Sequence, residues 1–239
     1  MKKLLLLVTI LFSLQVFSFG QYGLSVAYKP ITAKNWETII AEHKIDQPSS
    51  FRISPLSEGI HFGLDYWFRL KNHRVEFVPE LSITRFTRIW EKETINDQIT
   101  SNFIGFHFNT NLYIFDLKGD CDCPTFSKDG HDMAKGFFIQ VAPGINYIAN
   151  AYRSETETRR ASDIAPSVGI GIGVDIGLSD FLTITPMVKY QRYFNVEWIG
   201  LNEYFDTDQP IDESLNTNHI DQVFAGVRIG FRFDELRRY

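Results

Sequence analysis

Along most of the chain, apolar and polar positions alternate one by one. From Ile60 to Leu70, the residues Ile60, Phe62, Leu64, Tyr66, Phe68 and Leu70 are separated by His61, Gly63, Asp65, Trp67 and Arg69. In an extended strand these two sets lie on opposite faces. The same period of two recurs in seven further segments: Tyr22 to Lys29, Val75 to Ile83, Ile104 to Ile114, Phe137 to Tyr147, Val168 to Leu178, Leu182 to Gln191 and Val223 to Phe233. Most of these strands run to about 9–11 residues, the length that crosses a bilayer when tilted. Eight is also the smallest even number of strands that closes a membrane barrel. The pattern predicts an all-β fold, a closed antiparallel eight-stranded up-and-down transmembrane barrel. Ten strands result if residues 48–57 and part of the last connection pair as another hairpin.

The connections alternate in length. Lys71-Asn72-His73 and Ser179-Asp180-Phe181 read as tight turns, whereas residues 31–59, 87–102, 148–164 and 194–221 read as long loops. Short periplasmic turns and long extracellular loops are the arrangement of outer-membrane barrels. The connection from Asp116 to Gly136 departs from it, being long on the short-turn side. In the first loop, Asn35 followed by Trp36 to Glu42 is read as the cap and body of a short helix.

Alternation alone also fits a soluble barrel or sandwich with its apolar face inward. The polar face separates the two readings. It is crowded with glycines, among them Gly63, Gly105, Gly144, Gly169, Gly171, Gly173, Gly226 and Gly230. Glycine weakens a strand and gains nothing on a solvated surface, but it suits a narrow interior where side chains converge. The same face carries Asp65, Glu76, Glu80 and Asp175 against Arg69, Lys189, Arg228 and Arg232. These eight are predicted to form a lumen charge network that fills the barrel and leaves no conducting pore. The opposite face carries aromatics near its ends (Tyr22, Tyr28, Tyr66, Phe68, Tyr147, Tyr190, Phe231 and Phe233), as the girdles of a membrane barrel do. Pro79, Pro143 and Pro186 fall mid-strand on that face, where local bulges are expected.

Composition narrows the picture further. Lys2 and Lys3, the apolar run Leu4 to Phe12 and the small residues of Ser18-Phe19-Gly20 read as a signal peptide over 1–20, with the barrel domain over 21–239. An uncleaved anchor is the alternative, although the apolar run is short for a span. Removing the leader takes the formal net charge from −5 to −7. An acidic chain of this kind argues against a nucleic-acid partner. No later window holds the run of about 18 apolar residues that a transmembrane helix needs.

The segments Glu76-Phe77-Val78-Pro79-Glu80-Leu81, Val141-Ala142-Pro143-Gly144-Ile145 and Ile184-Thr185-Pro186-Met187-Val188 repeat an apolar-x-Pro-x-apolar pattern. With the closing Gly226-Val227-Arg228-Ile229-Gly230-Phe231-Arg232-Phe233, they resemble the small outer-membrane β-barrel proteins of Bacteroidota, the broad group that includes PorT-like proteins. The resemblance spans most of residues 21–239. Tyr239 is similar to the aromatic C-terminus that barrel-assembly machinery recognises, with Asp234 to Arg238 between it and the last strand. The resemblance implies an outer-membrane location and a group that contains secretion-machinery accessories.

Candidate chemistry is sparse. Cys121-Asp122-Cys123, with His131 and Asp132 downstream, is open to three readings: a soft-metal site, a small periplasmic disulfide, or a loop that docks a partner. Metal pairs are normally spaced Cys-x₂₋₄-Cys and no second pair exists. Asp206, Asp208 and Asp212 lie in an acidic stretch with Glu197, Glu203, Glu213 and Asp221, without the spacing of a recognised calcium loop. His219 and Asp221 lie near the outer rim, where some barrels of this size modify lipid A, but no serine motif accompanies them. The reading is therefore a non-catalytic barrel without cofactor or metal, in contact with outer-membrane lipid and other envelope proteins. It is an accessory or scaffold subunit of a secretion or assembly complex, with an independent surface barrel of adhesive or envelope-stabilising role as the alternative.

Overall fold

The computed structural model describes residues 21–37, 58–69, 74–92, 95–114, 136–154, 157–179, 181–201 and 216–231, with the side chains at 69, 88–92 and 95–97 excepted. Strands β1 (Gln21–Thr32), β2 (Glu58–Arg69), β3 (Val75–Lys92), β4 (Ile95–Tyr113), β5 (Phe137–Arg153), β6 (Thr158–Val174), β7 (Ile176–Ser179), β8 (Leu182–Glu197) and β9 (Thr217–Phe231) make up nearly all of it. Each pairs antiparallel with its neighbour in the order β6-β5-β4-β3-β2-β1-β9-β8, and β8 pairs back onto β6. Short β7 extends β6 past Asp175 in the same register, Gly173 facing Met187 and Ile176 facing Ile184. The two form one spanning strand, so the sheet closes as an eight-stranded barrel. Closure needs nothing from residues 48–57, which lie outside the described residues.

The apolar face points out. Phe62 is 56% exposed and Ile170 58%, whereas Asp65 is 2% exposed and Arg228 8%. The outward face carries a band of Leu, Ile, Val and aromatic side chains around the barrel. At the short-turn end, rings follow one another from Tyr22 to Tyr66, Phe68, Phe77 and Phe108, with centroids 5.3–6.1 Å apart. A closed barrel leaves no backbone edge to satisfy in lipid, and an apolar belt of this extent is at home only there. The protein is an outer-membrane β-barrel. No described helix is long and apolar enough to cross a membrane, and the crossing is made by strands.

The prolines do not produce the expected bulges. The ladder skips Pro79 and Val78 toward β2, Pro143 and Ala142 toward β4, and Pro186 and Thr185 toward β6 and β7, and the register is identical on either side of each gap. Pro30 does the same toward β9. In an antiparallel ladder one missing N–H removes its own pair and supports no bridge at the adjacent one. Two unlinked residues are the whole cost, and the gap between β6 and β7 is the one opposite Pro186. The register shifts instead between Gly177 and Ser179 and between Tyr193 and Val196, the latter at Asn195 with φ of 51°.

Three of the long connections are also shorter than the alternation predicts. Strands continue through most of 87–102 and 148–164 and into both ends of 194–221. The continuation was hidden because the pattern reverses. Ile83, Ile104, Tyr147 and Ile164 form the last outward apolar row, registered across β3 to β6. Beyond it the apolar residues Phe86, Ile99, Phe103 and Ile148 face inward instead. Among the described residues β2 begins at Glu58 and the β6–β8 ladder at Ser167, so here β3 to β6 continue as a four-stranded projection, met at its β6 edge by the end of β8 through the Glu197 N–H to Asp163. Its inner face packs against Trp36, Trp198 and Leu201.

Trp36 is carried by a helical turn at residues 34–37. Asn35 is not its cap, contrary to expectation. The Glu37 N–H donates to the Ala33 carbonyl at 2.9 Å and the Ala33 N–H donates to the Glu37 carboxylate at 3.2 Å, a reciprocal closure that starts the turn two residues earlier, at Ala33. The Asn35 amide is thereby free to donate to the Thr217 carbonyl on β9, at 2.7 Å. The rest of the expected helix, 38–42, lies outside the described residues.

Candidate functional site

The lumen is the part of the molecule with chemistry in it, and it is filled in three tiers. Nearest the short turns, Arg228 on β9 grips Asp65 on β2 with two hydrogen bonds, from Nε at 2.7 Å and from a terminal nitrogen at 2.5 Å. The guanidinium lies 5.8 Å from the Trp67 ring. Between the two strands runs β1, where Gly23 faces both Asp65 and Gly230. A Cβ at Gly23 would stand 2.5 Å from Arg228 Nε and from an Asp65 oxygen. The ion pair is possible because that position has no side chain. Beside it, the Tyr113 hydroxyl lies 2.6 Å from Glu76 and 2.5 Å from Asp175, and the Thr185 hydroxyl donates to the other Asp175 oxygen.

The middle tier centres on Glu80. One carboxylate oxygen is 3.4 Å from His61 Nε2 and 4.0 Å from His107 Nδ1, and the other accepts from Asn109 at 3.5 Å. Thr84 bonds His61 at 3.0 Å, and Lys189 donates to Asn109 at 3.5 Å. The ammonium groups of Lys29 and Lys189 approach the Phe224 ring to 5.6 and 5.2 Å, where the ring's negative face compensates part of their lost hydration. Gly144 lies under His107, whose ring occupies the space its Cβ would take, 2.4 Å from Cδ2.

The third tier, at the long-connection end, is apolar. Trp36 and Trp198 meet edge to face at 5.1 Å, and both are fully buried. Phe86, Phe103 and Tyr193 continue the contact inward. The Trp36 indole N–H donates to the Asn216 carbonyl at 3.2 Å, which ties the first connection to the last one.

Of the eight charges expected in the lumen, Asp65, Glu76, Glu80, Asp175, Lys189 and Arg228 are buried inside. The Arg69 side chain and Arg232 lie outside the described residues. The structure brings the six together in two groups, around Asp65–Arg228 and around Glu80. The charge count missed Lys29, although it shares the inward parity of Gly23 and Ser25. It also missed His61 and His107, which parity places inward but which carry no formal charge at neutral pH. The apolar tier was missed altogether. The signal for it was the change of parity at Phe86 and Phe103.

Most of the remaining candidates fall beyond what the structure describes. Cys121, Cys123, His131, Asp132, Asp206, Asp208 and Asp212 lie outside the described residues. Among the described residues, no group of three or more His, Cys, Asp or Glu is arranged to hold a metal ion. His219 accepts a hydrogen bond from the Asn195 N–H at 3.3 Å, and Asp221 is engaged by Tyr190 at 2.5 Å and Arg192 at 3.7 Å. The two rim residues thus serve separate structural contacts.

No family model matches the chain, and no curated protein matches it. Among solved structures, Neisserial surface protein A aligns at TM-score 0.46 and 7% identity, over 90% of this chain and 97% of that one. Ail, the attachment invasion locus protein of Yersinia pestis, aligns at 0.44 and 10% over 89% and 99%. A major outer membrane protein from Thermus thermophilus aligns at 0.44 and 7% over 90% and 99%. None of these likenesses bears on activity, ligand or partner.

Proposed function

We propose that the chain is a non-conducting, non-catalytic barrel that works by presenting surfaces, as an accessory or scaffold subunit of an envelope complex. The observation that carries this is the packed interior: side chains as large as Trp36, Trp198, Tyr193, Lys29 and Phe138 are under 2% exposed inside it. A barrel whose lumen is spent on its own packing has only its rim and outer wall with which to act. The resemblance of its proline-marked strands and closing strand to small barrels of Bacteroidota, PorT-like proteins included, supports the accessory role. The test is gentle detergent extraction followed by identification of co-eluting proteins, with single-channel recording of the purified chain. A stable stoichiometric complex and no conductance are expected, and steady ion conduction would sink the reading. A lipid A mass spectrum unchanged by deletion of the gene is expected of a barrel that is no enzyme.

The alternative is an independent surface barrel, adhesive or envelope-stabilising. It draws on one specific observation, the four-stranded projection that continues past the apolar belt at the long-connection end. That end faces the cell exterior if the short turns are periplasmic. It predicts a monomer after gentle extraction.

A further inference from the structure

The outer face of the projection is a wall of unusual composition. Directly past the apolar row of Ile83, Ile104, Tyr147 and Ile164, the outward positions of β3 to β6 turn small and polar, with Thr87, Asn102, Thr100, Ala149, Ala151 and Ser162. Three arginines rise among them: Arg85 in the first row past the belt, Arg160 in the second and Arg153 in the third. All three are exposed, and none forms an ion pair with a described residue. None of the outward positions of β3 to β6 in these three rows is an acid; Glu91 takes the outward register position in the next row of β3, and Glu157 at the β5–β6 tip is paired with Arg159. Acids flank the wall on the strands next to it: Glu58 on β2 lies diagonal to Arg85, whose register partner is Ile60, and Glu197 on β8 donates its backbone N–H to Asp163 on β6 at 2.8 Å. Farther round the rim, the outward Arg192 on β8 is paired with Asp221 on β9.

We propose that this wall binds the phosphate groups of the phosphorylated glycolipid in the outer leaflet around the barrel. Three arguments select that occupant. The wall is continuous with the lipid-facing belt, one row being roughly 6–7 Å along the strand. Whatever touches it therefore lies at headgroup level. The charge in its three rows is of one sign and forms no ion pair with a described residue, and guanidinium pairs with phosphate through two parallel hydrogen bonds. Its small side chains leave a flat surface on which sugar rings can lie, while the arginine stems reach back along the belt and hold their heads at the interface. A folded partner docking here would have to displace the lipid headgroups first. The proposal requires the long-connection end to face outward and is independent of whether the chain is an accessory subunit.

The test uses the full chain in neutral-lipid nanodiscs, with bisphosphorylated lipid A or its dephosphorylated form as the added probe and native mass spectrometry as the readout. Wild type is expected to retain the phosphorylated probe preferentially. R85Q/R153Q/R160Q should lose on the order of a hundredfold in apparent affinity, taking each interfacial cation at about fivefold. The triple lysine variant, which keeps the charge but loses the paired hydrogen bonds, should fall between wild type and the triple glutamine variant, and added salt should weaken the binding. E58Q/E197Q, which removes two acids flanking the wall, should bind at least as tightly as wild type. Heat-dependent gel mobility establishes that each variant is folded, and all should be, because these side chains are exposed and make no ion pair with a described residue. The proposal is overturned if the triple glutamine variant retains the probe as wild type does, or if the dephosphorylated probe binds equally well. It is overturned too if the variant changes only the oligomeric state, which would assign the wall to protein contacts.

Discussion

Arg228 and Asp65 are joined by two hydrogen bonds across a strand that belongs to neither of them. The pair spans β1 at Gly23 and so clamps β9, β1 and β2, the seam at which the first and last strands of the barrel meet. Truncating one partner leaves the other charge buried and uncompensated, a loss of about 3–5 kcal/mol. Asp65→Ala and Arg228→Ala should each lower the urea midpoint of the folded barrel by that equivalent. The double exchange to Leu and Met should cost less than either single change. Equal midpoints for wild type and Asp65→Ala would remove the clamp from the account.

Gly23→Ala tests the same seam from the backbone side. Its methyl group would meet Arg228 and Asp65 at 2.5 Å, and relieving that overlap means bending the ion pair or shifting β1. Overpacking of this order costs about 1–3 kcal/mol. The effect should largely vanish in the Leu/Met background only if the two replacement side chains leave the space free, so the urea midpoint in both backgrounds is the measurement.

The tryptophan pair closes the other end. Trp36→Ala should destabilise by about 3–5 kcal/mol, as large-to-small changes in packed cores do. Trp36→Phe, which keeps a ring but loses the N–H to Asn216, should cost only about 0.5–1.5 kcal/mol. The alanine variant should still pass no ions in a planar bilayer, because the two polar tiers below remain packed. A conducting variant would mean that the aromatic tier alone seals the lumen.

Pro186→Ala returns a backbone donor opposite the break between β6 and β7. Because the register on both sides of that break already agrees, the new amide should find its acceptor at Val174 without rearrangement. Hydrogen exchange should show the new amide protected like those of its strand neighbours, with stability changed by less than about 1 kcal/mol. Fast exchange at that amide would show that the strands part there for another reason.

Where the sequence was legible, one period governed the segment. Phe62, Ile170 and Ile229 face lipid and Asp65, Glu80 and Arg228 face inward because β2, β6 and β9 keep one phase through the membrane. The stretches 87–102 and 148–164 read as loops because their apolar residues change phase: Phe86 and Phe103 point inward where Ile83 and Ile104 had pointed outward. A reader looking for oil on a single face loses the strand at that point. The lumen was half legible for a related reason. Formal charges marked Asp65 and Lys189, whereas His61, His107 and Tyr113 hold the carboxylates without any charge to advertise them. The tertiary tie from Asn35 to Thr217 had no local signature at all, since both partners lie in segments that read as loops.

The change of phase at the Ile83 row divides the chain between two opposite kinds of cohesion. Below it, the wall is held against hydrocarbon, and its order depends on the bilayer remaining in place. Above it, the oil is gathered at the centre and water does the squeezing, as in any dissolved protein. The upper storey therefore brings its own reason to stay folded, and would keep its form in a detergent harsh enough to loosen the part beneath it.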